Sequence, residues 1–200
     1  MSQDDFDIYL ASGSPRRQEL LDQIGIRYRT VQNNVAENPE PEEAAGDFAL
    51  RIAIDKVKAA RKDLSDKVVL SADTVVCLDD NILGKPRDQK QAIEMLRGLS
   101  GRQHQVLTAV AVMSAVNDKL ETCLSVSEVT FRELHDDDVN WYWQTGEPVD
   151  KAGAYAIQGK GAMFIRHLAG SYSGVMGLPL YETAELLRQF GINTQRLNNS

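Results

Sequence analysis

Ser12-Gly13-Ser14-Pro15-Arg16-Arg17 sets two hydroxyls, a glycine and two guanidinium groups around what reads as the start of a helix. Free N–H groups at a helix start, the helix dipole and the arginines together suit an anion. An ordinary capped helix with solvated arginines has the same pattern. Asp73, in Ser71-Ala72-Asp73-Thr74, follows the apolar run Val68-Val69-Leu70 and is expected at the carboxyl end of a buried strand, where α/β sheets collect ligands. A carboxylate there can bind Mg²⁺ or take a proton from water; an Asp-Thr turn closing the strand is the structural alternative. Lys56, in a helical stretch, and Lys85, in Gly84-Lys85-Pro86, supply cations, and each also suits a solvent-facing position. Between Gly146 and Gly159, Gln158 carries an amide that both donates and accepts hydrogen bonds, as a nucleobase edge requires. The glycines of that segment allow close approach to a ligand, or simply a tight connector.

Other constellations are missing. No G-x-x-x-x-G-K-[ST] run exists, and Gly170 to Gly174 has Tyr172 where a nucleophile elbow needs serine. His104, His135 and His167 are far apart and lack zinc-type spacing. The donors on offer favour a hard cation with carboxylate and water over zinc.

The elements that must position these groups alternate between strand and helix. Ile8 to Ala11 reads as a strand, followed by a helix with Ser14 at the N-cap, Pro15 at the first position, Leu20, Leu21 and Ile24 inside, and Gly25 as the stop. An acidic segment, Glu37 to Glu43, precedes a helical stretch with Leu50, Ala53, Ile54 and Val57. Val75 to Leu78 and Ile82-Leu83 flank a hairpin turn, and Asp88 with Gln91 resembles a capping box ahead of Ala92, Met95, Leu96 and Leu99. Val106 to Met113 and Leu120 to Phe131 are expected to pair antiparallel. A short helix over Asp137 to Gln144, a strand over Ala162 to His167 and a last helix from Pro179, with Leu180, Ala184 and Leu187 on one face and Gly191 as its stop, complete the pattern; the tail Asn193 to Ser200 is expected to fray. These elements predict an α/β fold, a mixed twisted sheet with flanking helices.

The 200 residues are expected as a single domain over 1–200, with a β-rich second lobe drawn from about 75–165. A chain of this length buries roughly 70% of its unfolded surface and needs neither metal nor disulfides for its core. Cys77 and Cys123 are expected as reduced, buried thiols. With Lys+Arg 22 against Asp+Glu 29, the net charge of −7 provides no field to collect nucleic acid, so an anionic ligand must be held by a local cluster of cations. No apolar run approaches the ~20 residues that span a bilayer, and the acidic Met1 to Asp7 is unlike a secretory leader, so neither a membrane role nor export is expected. The expected location is the cytoplasm.

Taken in order, Ser12 to Arg17, Ser71 to Thr74, Gly84-Lys85-Pro86, Ser100-Gly101-Arg102, Asp150 to Tyr155, and Gly170-Ser171-Tyr172 with Val175 to Pro179 resemble the Maf family of nucleoside triphosphate pyrophosphatases, over residues 8 to about 190. The resemblance implies hydrolysis between the α and β phosphates to a monophosphate and pyrophosphate, with a divalent cation, Mg²⁺ or Mn²⁺. It implies a two-lobed mixed α/β fold with the site in the cleft, similar to inosine triphosphate pyrophosphatases, and suggests a homodimer. Asp73 corresponds to the family's proton acceptor. Arg16, Thr74 and Gln158 match the branch that acts on dTTP and UTP, whereas the branch acting on 7-methyl-GTP typically has Trp, Gln and Glu there. The resemblance makes Glu37 a metal ligand beside Asp73, although members often carry two adjacent acids where Ala36 precedes Glu37 here. Ser12, Ser14, Arg16, Lys56 and Lys85 are the groups expected around the triphosphate, and modified pyrimidine nucleotides remain open as substrates. The family's link to septum formation in cell division offers another reading, a nucleotide-binding regulator without turnover.

Overall fold

Val68–Leu78 forms one strand of 11 residues, β3, and the sheet is arranged around it. The computed structural model describes residues 6–62, 64 and 66–194. Along one edge, β3 pairs antiparallel with β5 (Gln103–Ser114), from Val68↔Ser114 to Cys77↔Gln105. The other edge is shared by two short strands. β1 (Ile8–Leu10) runs parallel to Val68 through Leu70, and β4 (Asn81–Leu83) runs antiparallel to Val76 through Leu78. Ser71 to Val75 therefore have no strand partner on that edge among the described residues, and the sheet has a gap there. The seven-stranded mixed sheet has the order β2 (Tyr28–Thr30), β1, β3, β5, β6 (Leu120–Phe131), β7 (Ile165–Ala169), with β4 beside β3.

Alternation along the strands divides the core. Val69, Val75 and Cys77 of β3, with Ala109 and Ala111 of β5, face α2 (Ala45–Arg61), which buries Phe48, Ile52, Ala53 and Val57 on them. Leu70 and Ala72, with Val110 and Val112, face the other way, onto Leu20 and Leu21 of α1 (Pro15–Gln23) and Leu186 and Leu187 of α6 (Leu180–Arg188). Farther along the sheet, α3 (Gln89–Leu99) and α4 (Asp136–Gln144) pack Leu96, Leu99 and Tyr142 with Phe131 and Phe164. Each fully buried leucine in these clusters stabilises the fold by roughly 1.5–3 kcal/mol. The Asp88 side chain accepts the Gln91 N–H at 2.8 Å, but the Gln91 Oε1 takes the Arg87 N–H at 2.8 Å instead of returning to Asp88, so only half of the expected capping box forms.

Several expectations need correction. Asp73 is not at a strand's end: the polar residues Ser71, Asp73 and Thr74 lie inside β3, because the β5 ladder continues past them. The strand expected from Ala162 begins at Ile165, since Lys160–Phe164 turns as a 3₁₀ helix. A five-residue helix, α5 (Tyr172–Met176), was not foreseen. On α6 the buried face is Thr183, Leu186 and Leu187, while Leu180 and Ala184 are half-buried. Ser14 has N-cap geometry, but its side chain makes no capping hydrogen bond. Cys77 is buried and Cys123 half-buried, and both are free thiols. The expected fraying from Asn193 to Ser200 falls, from Gln195 on, outside the described residues. Among the described residues no helix is long and apolar enough to cross a membrane.

Candidate active site

The gap beside Ser71 to Val75 sets the site's position, because two loops end on either side of it. The chain leaving β1 forms the Ser12 to Ser14 turn and starts α1; the chain leaving β4 runs through Gly84-Lys85-Pro86. Between them opens a cavity of about 910 Å³, large enough for a nucleotide. Ser12, Ser14, Arg16, Glu37, Lys56, Asp73, Thr74, Lys85 and Gln158 all line it. Residues spread over nearly 150 positions of sequence are thus brought to one place.

Asp73 and Thr74 enter the cavity from opposite faces of β3. On the α2 side, Ser71 Oγ donates to Ala53 O at 2.5 Å, tying helix to strand. One turn later, Lys56 Nζ donates to Asp73 Oδ1 at 2.7 Å and lies 2.7 Å from Glu37 Oε1. Lys56 is 5% exposed and Asp73 6%, so this pair is desolvated and its removal in halves is costly. Burial pushes the Glu37 carboxyl upward, but the hydrogen bond and charge of Lys56, helped by Lys85 and Arg17, outweigh it and hold Glu37 below the usual range.

On the opposite face, the Arg17 guanidinium is tied into the protein by all three of its nitrogens. It donates to Gly177 O at 2.8 Å, Ser12 Oγ at 3.0 Å and Thr74 Oγ1 at 3.3 Å. The Thr74 hydroxyl lies 3.0 Å from that of Thr108, directly across the β3–β5 ladder, and Thr108 donates to Gly174 O at 2.8 Å. Arg17 therefore joins α1, β3 and the end of α5 and is a strut in the cavity wall. Ser12 Oγ also accepts the Ser14 N–H at 3.2 Å, which shapes the turn. With Pro15 at the first helical position, the first-turn N–H groups of α1 that lack intrahelical partners belong to the residues after it.

Arg16, Lys85 and Gln158 have side chains that make no hydrogen bond or ion pair within 4.0 Å among the described residues, and Lys85 and Gln158 are exposed. The cavity wall holds five cationic side chains (Arg16, Arg17, Lys56, Lys85, Lys151) against four carboxylates (Glu19, Glu37, Asp73, Asp150). This local excess of positive charge contrasts with the chain's −7 and is the compensation a polyanion needs.

No cluster of three or more His, Cys, Asp or Glu side chains suited to a metal occurs among the described residues. The oxygens of Glu37 and Asp73, gathered on one ammonium, do fit a hard cation of the Mg²⁺ kind, which binds through one or two carboxylates and takes its other ligands from substrate phosphates and water.

Two features of the wall were not legible in the sequence. Arg16 and Arg17 look equivalent, yet successive helix residues point about 100° apart, so one faces the cavity and the other the sheet. Asn33, whose Nδ2 donates to Ala11 O at 2.8 Å, fastens the loop after β2 to the end of β1 beside the gap. The run Gln32-Asn33-Asn34 after a strand was the available signal.

Residues 7–190 match the family model described as Maf-like protein. A protein of Alkalilimnicola ehrlichii named dTTP/UTP pyrophosphatase is 53% identical over 195 residues, covering 94% of this chain and 95% of that protein. Proteins of the same name from Methylococcus capsulatus and Escherichia coli O157:H7 are each 50% identical, over 98% and 92% of this chain and 97% and 92% of their own lengths. Among solved structures, the Ham1 protein of Staphylococcus aureus aligns with a TM-score of 0.53 at 15% identity, over 93% of this chain and 100% of that one. A HAM1 protein from Coxiella burnetii gives 0.53 at 18% identity, over 92% and 99%. At such identities these structures speak for the shared fold.

Proposed function

The chain belongs to the Maf family, and on that premise we propose that it hydrolyses dTTP and UTP to the nucleoside monophosphate and pyrophosphate. The observation that carries this reading is Lys56 bridging Asp73 and Glu37 at the gap in the sheet, facing the unpaired cations Arg16 and Lys85 across one cavity. Near-full-length relatives named dTTP/UTP pyrophosphatase support the substrate class.

In this reading the triphosphate lies along the Ser12 to Arg16 turn and Lys85, with Ser12 and Ser14 hydroxyls and first-turn N–H groups of α1 as donors. Asp73 orients a water and accepts its proton as the oxygen attacks the α-phosphate; the bond to the bridging oxygen breaks and pyrophosphate leaves with that electron pair. Lys56 holds the Asp73 carboxylate in place through the 2.7 Å contact of its Nζ with Oδ1. Mg²⁺ or Mn²⁺, held by Glu37 and Asp73, would neutralise charge on the phosphates. Arg16, Thr74 and Gln158 discriminate the pyrimidine, with modified pyrimidine nucleotides within reach of the same groups. Thr74 does so while its hydroxyl is already engaged with Arg17 and Thr108, so its share is to shape the wall. The chain acts as one domain in the cytoplasm, with a β-rich second lobe drawn from about 75 to 165.

The test is pyrophosphate release by the purified protein from dTTP, UTP, dCTP, GTP and dATP, with Mg²⁺ or Mn²⁺. Release from dTTP and UTP at roughly tenfold or more above the purines is expected. Saturable nucleotide binding without pyrophosphate would replace the enzyme by a nucleotide-responsive regulator.

A further inference from the structure

Behind the cavity wall, the half-buried Glu147 carboxylate gathers three hydrogen bonds. Its Oε1 accepts from the Tyr142 hydroxyl at 2.6 Å and the Gly161 N–H at 3.0 Å, and its Oε2 accepts from the Lys160 N–H at 2.9 Å. The Tyr142 oxygen, buried on α4, in turn accepts the Ala156 N–H at 3.0 Å. Between those anchor points the chain makes a tight turn, closed by the Gly159 N–H on Ala156 O at 3.3 Å, and Gln158 is its third residue. One carboxylate–phenol unit thus grips the turn at its entry, through Ala156, and at its exit, through Lys160 and Gly161.

The glycines confirm how closely this unit is fitted. A Cβ on Gly159 would collide with the Glu147 carboxylate, and one on Gly161 would lie 2.6 Å from the Tyr142 oxygen and 2.8 Å from Ala156 O. These two glycines are required by the support beneath the turn, whether or not a ligand lies above it. Burial pushes the Glu147 carboxyl upward, but the hydrogen bonds from Tyr142, Gly161 and Lys160, with the charge of Lys151, outweigh it and keep the group ionised. Neither Glu147 nor Tyr142 lines the cavity, whereas Tyr155, Ala156, Ile157 and Gln158 all do.

We propose that Glu147 and Tyr142 are positioning residues for base selectivity: by fixing the backbone from Ala156 to Gly161 they fix where the Gln158 amide meets the nucleobase. The inference rests on the reading of Gln158 as a base contact. The Gln158 side chain is exposed and has no protein partner among the described residues, so its place is set by the backbone beneath it. A displacement near 1 Å in such a segment suffices to weaken a directed hydrogen bond.

The experiment compares Glu147→Gln, Tyr142→Phe and Gln158→Ala with the parent protein, measuring melting temperature and pyrophosphate release from dTTP, UTP and GTP. Glu147→Gln keeps the shape but puts an amide donor against backbone N–H donors, and Tyr142→Phe keeps the ring while leaving the Ala156 N–H unpaired. For both, KM for dTTP is expected to rise roughly tenfold with kcat within about twofold, and the dTTP-to-GTP ratio of kcat/KM to fall roughly tenfold. A lower melting temperature with an unchanged ratio in both variants overturns the proposal. Tyr142→Phe alone decides if Glu147→Gln does not fold. Gln158→Ala separates the two readings. If it leaves the ratio unchanged while the other variants shift it, the support stands and acts through another residue of the turn, and the assignment of Gln158 falls. If it shifts the ratio while the other two do not, Gln158 stands and the support falls.

Discussion

The Lys56 ammonium is shared between two carboxylates, and this makes the two partners of the buried pair unequal in what their loss does. Asp73→Asn leaves Lys56 with Glu37, so it is expected to fold with a loss of about 1–2 kcal/mol while pyrophosphate release falls by about 10²-fold or more. Lys56→Met strands Asp73 in the interior and is expected to cost about 3–5 kcal/mol. The double variant should cost less than the two single losses together, which a double-mutant cycle in urea reads directly. Additive losses would mean that the pair does not interact. His104 gives a second test. It is 3% exposed, its Nε2 lies 2.8 Å from the Tyr155 hydroxyl, and burial pushes it down to about 4. The unfolded chain takes up a proton near pH 6.5 that the folded one refuses until about 4, so this stability is complete above 6.5 and lost as the pH falls through that window. The loss reaches roughly 3 kcal/mol. The strongly lowered carboxyl of Asp138, held at about 2 by Arg132, titrates outside that window. His104→Gln is therefore expected to flatten the urea midpoint between pH 6.5 and about 5, below which the lowered carboxyls of Glu37, Glu43 and Glu147 also cost stability as the unfolded chain takes up their protons.

At the scale of elements, short polar runs inside apolar ones marked the site but misled about its geometry. Ser71-Ala72-Asp73-Thr74 reads as the end of a strand because three polar side chains follow an apolar triplet. In the fold they have polar partners, Ser71 on Ala53 O, Asp73 on Lys56 and Thr74 on Arg17, so β3 continues through them. The period of α3 and the paired runs of β5 and β6 were legible because each depends on local alternation. The sharing of one β3 edge by β1 and β4 was not, since it arises from pairings between segments far apart in sequence. Nor was α5, whose five residues hold too little pattern. What α5 does became visible only through Arg17, which reaches the Gly177 carbonyl at its end. A lysine ammonium cannot serve Ser12, Thr74 and Gly177 together. Arg17→Lys is expected to cost about 1–3 kcal/mol, lowering the melting temperature by a few degrees for each kcal/mol at this chain length, and to raise KM as the Ser12 turn loosens. A variant with the parental melting temperature would show that the strut carries no stability.

For the molecule as a whole, binding is local and folding is independent of it. Three apolar clusters and a seven-stranded sheet hold the described residues, and Cys77 and Cys123 are both free thiols. Treatment with EDTA is therefore expected to abolish pyrophosphate release and leave the far-UV circular dichroism and melting temperature nearly unchanged, with activity returning on addition of Mg²⁺ or Mn²⁺. Collapse of the fold on chelation would contradict this separation. The alternation along β3 carries one more consequence, for how such a chain can change in length. Deleting a single codon between Val68 and Ala72 would swing the Asp73 carboxylate to the Arg17 side and the Thr74 hydroxyl toward α2, reversing the chemistry of both walls at once. The turn at Asn117 and Asp118, at the far end of the β5–β6 ladder, has no such parity to keep. Indels in descendants of this sequence should therefore gather in that turn and be purged from the strand.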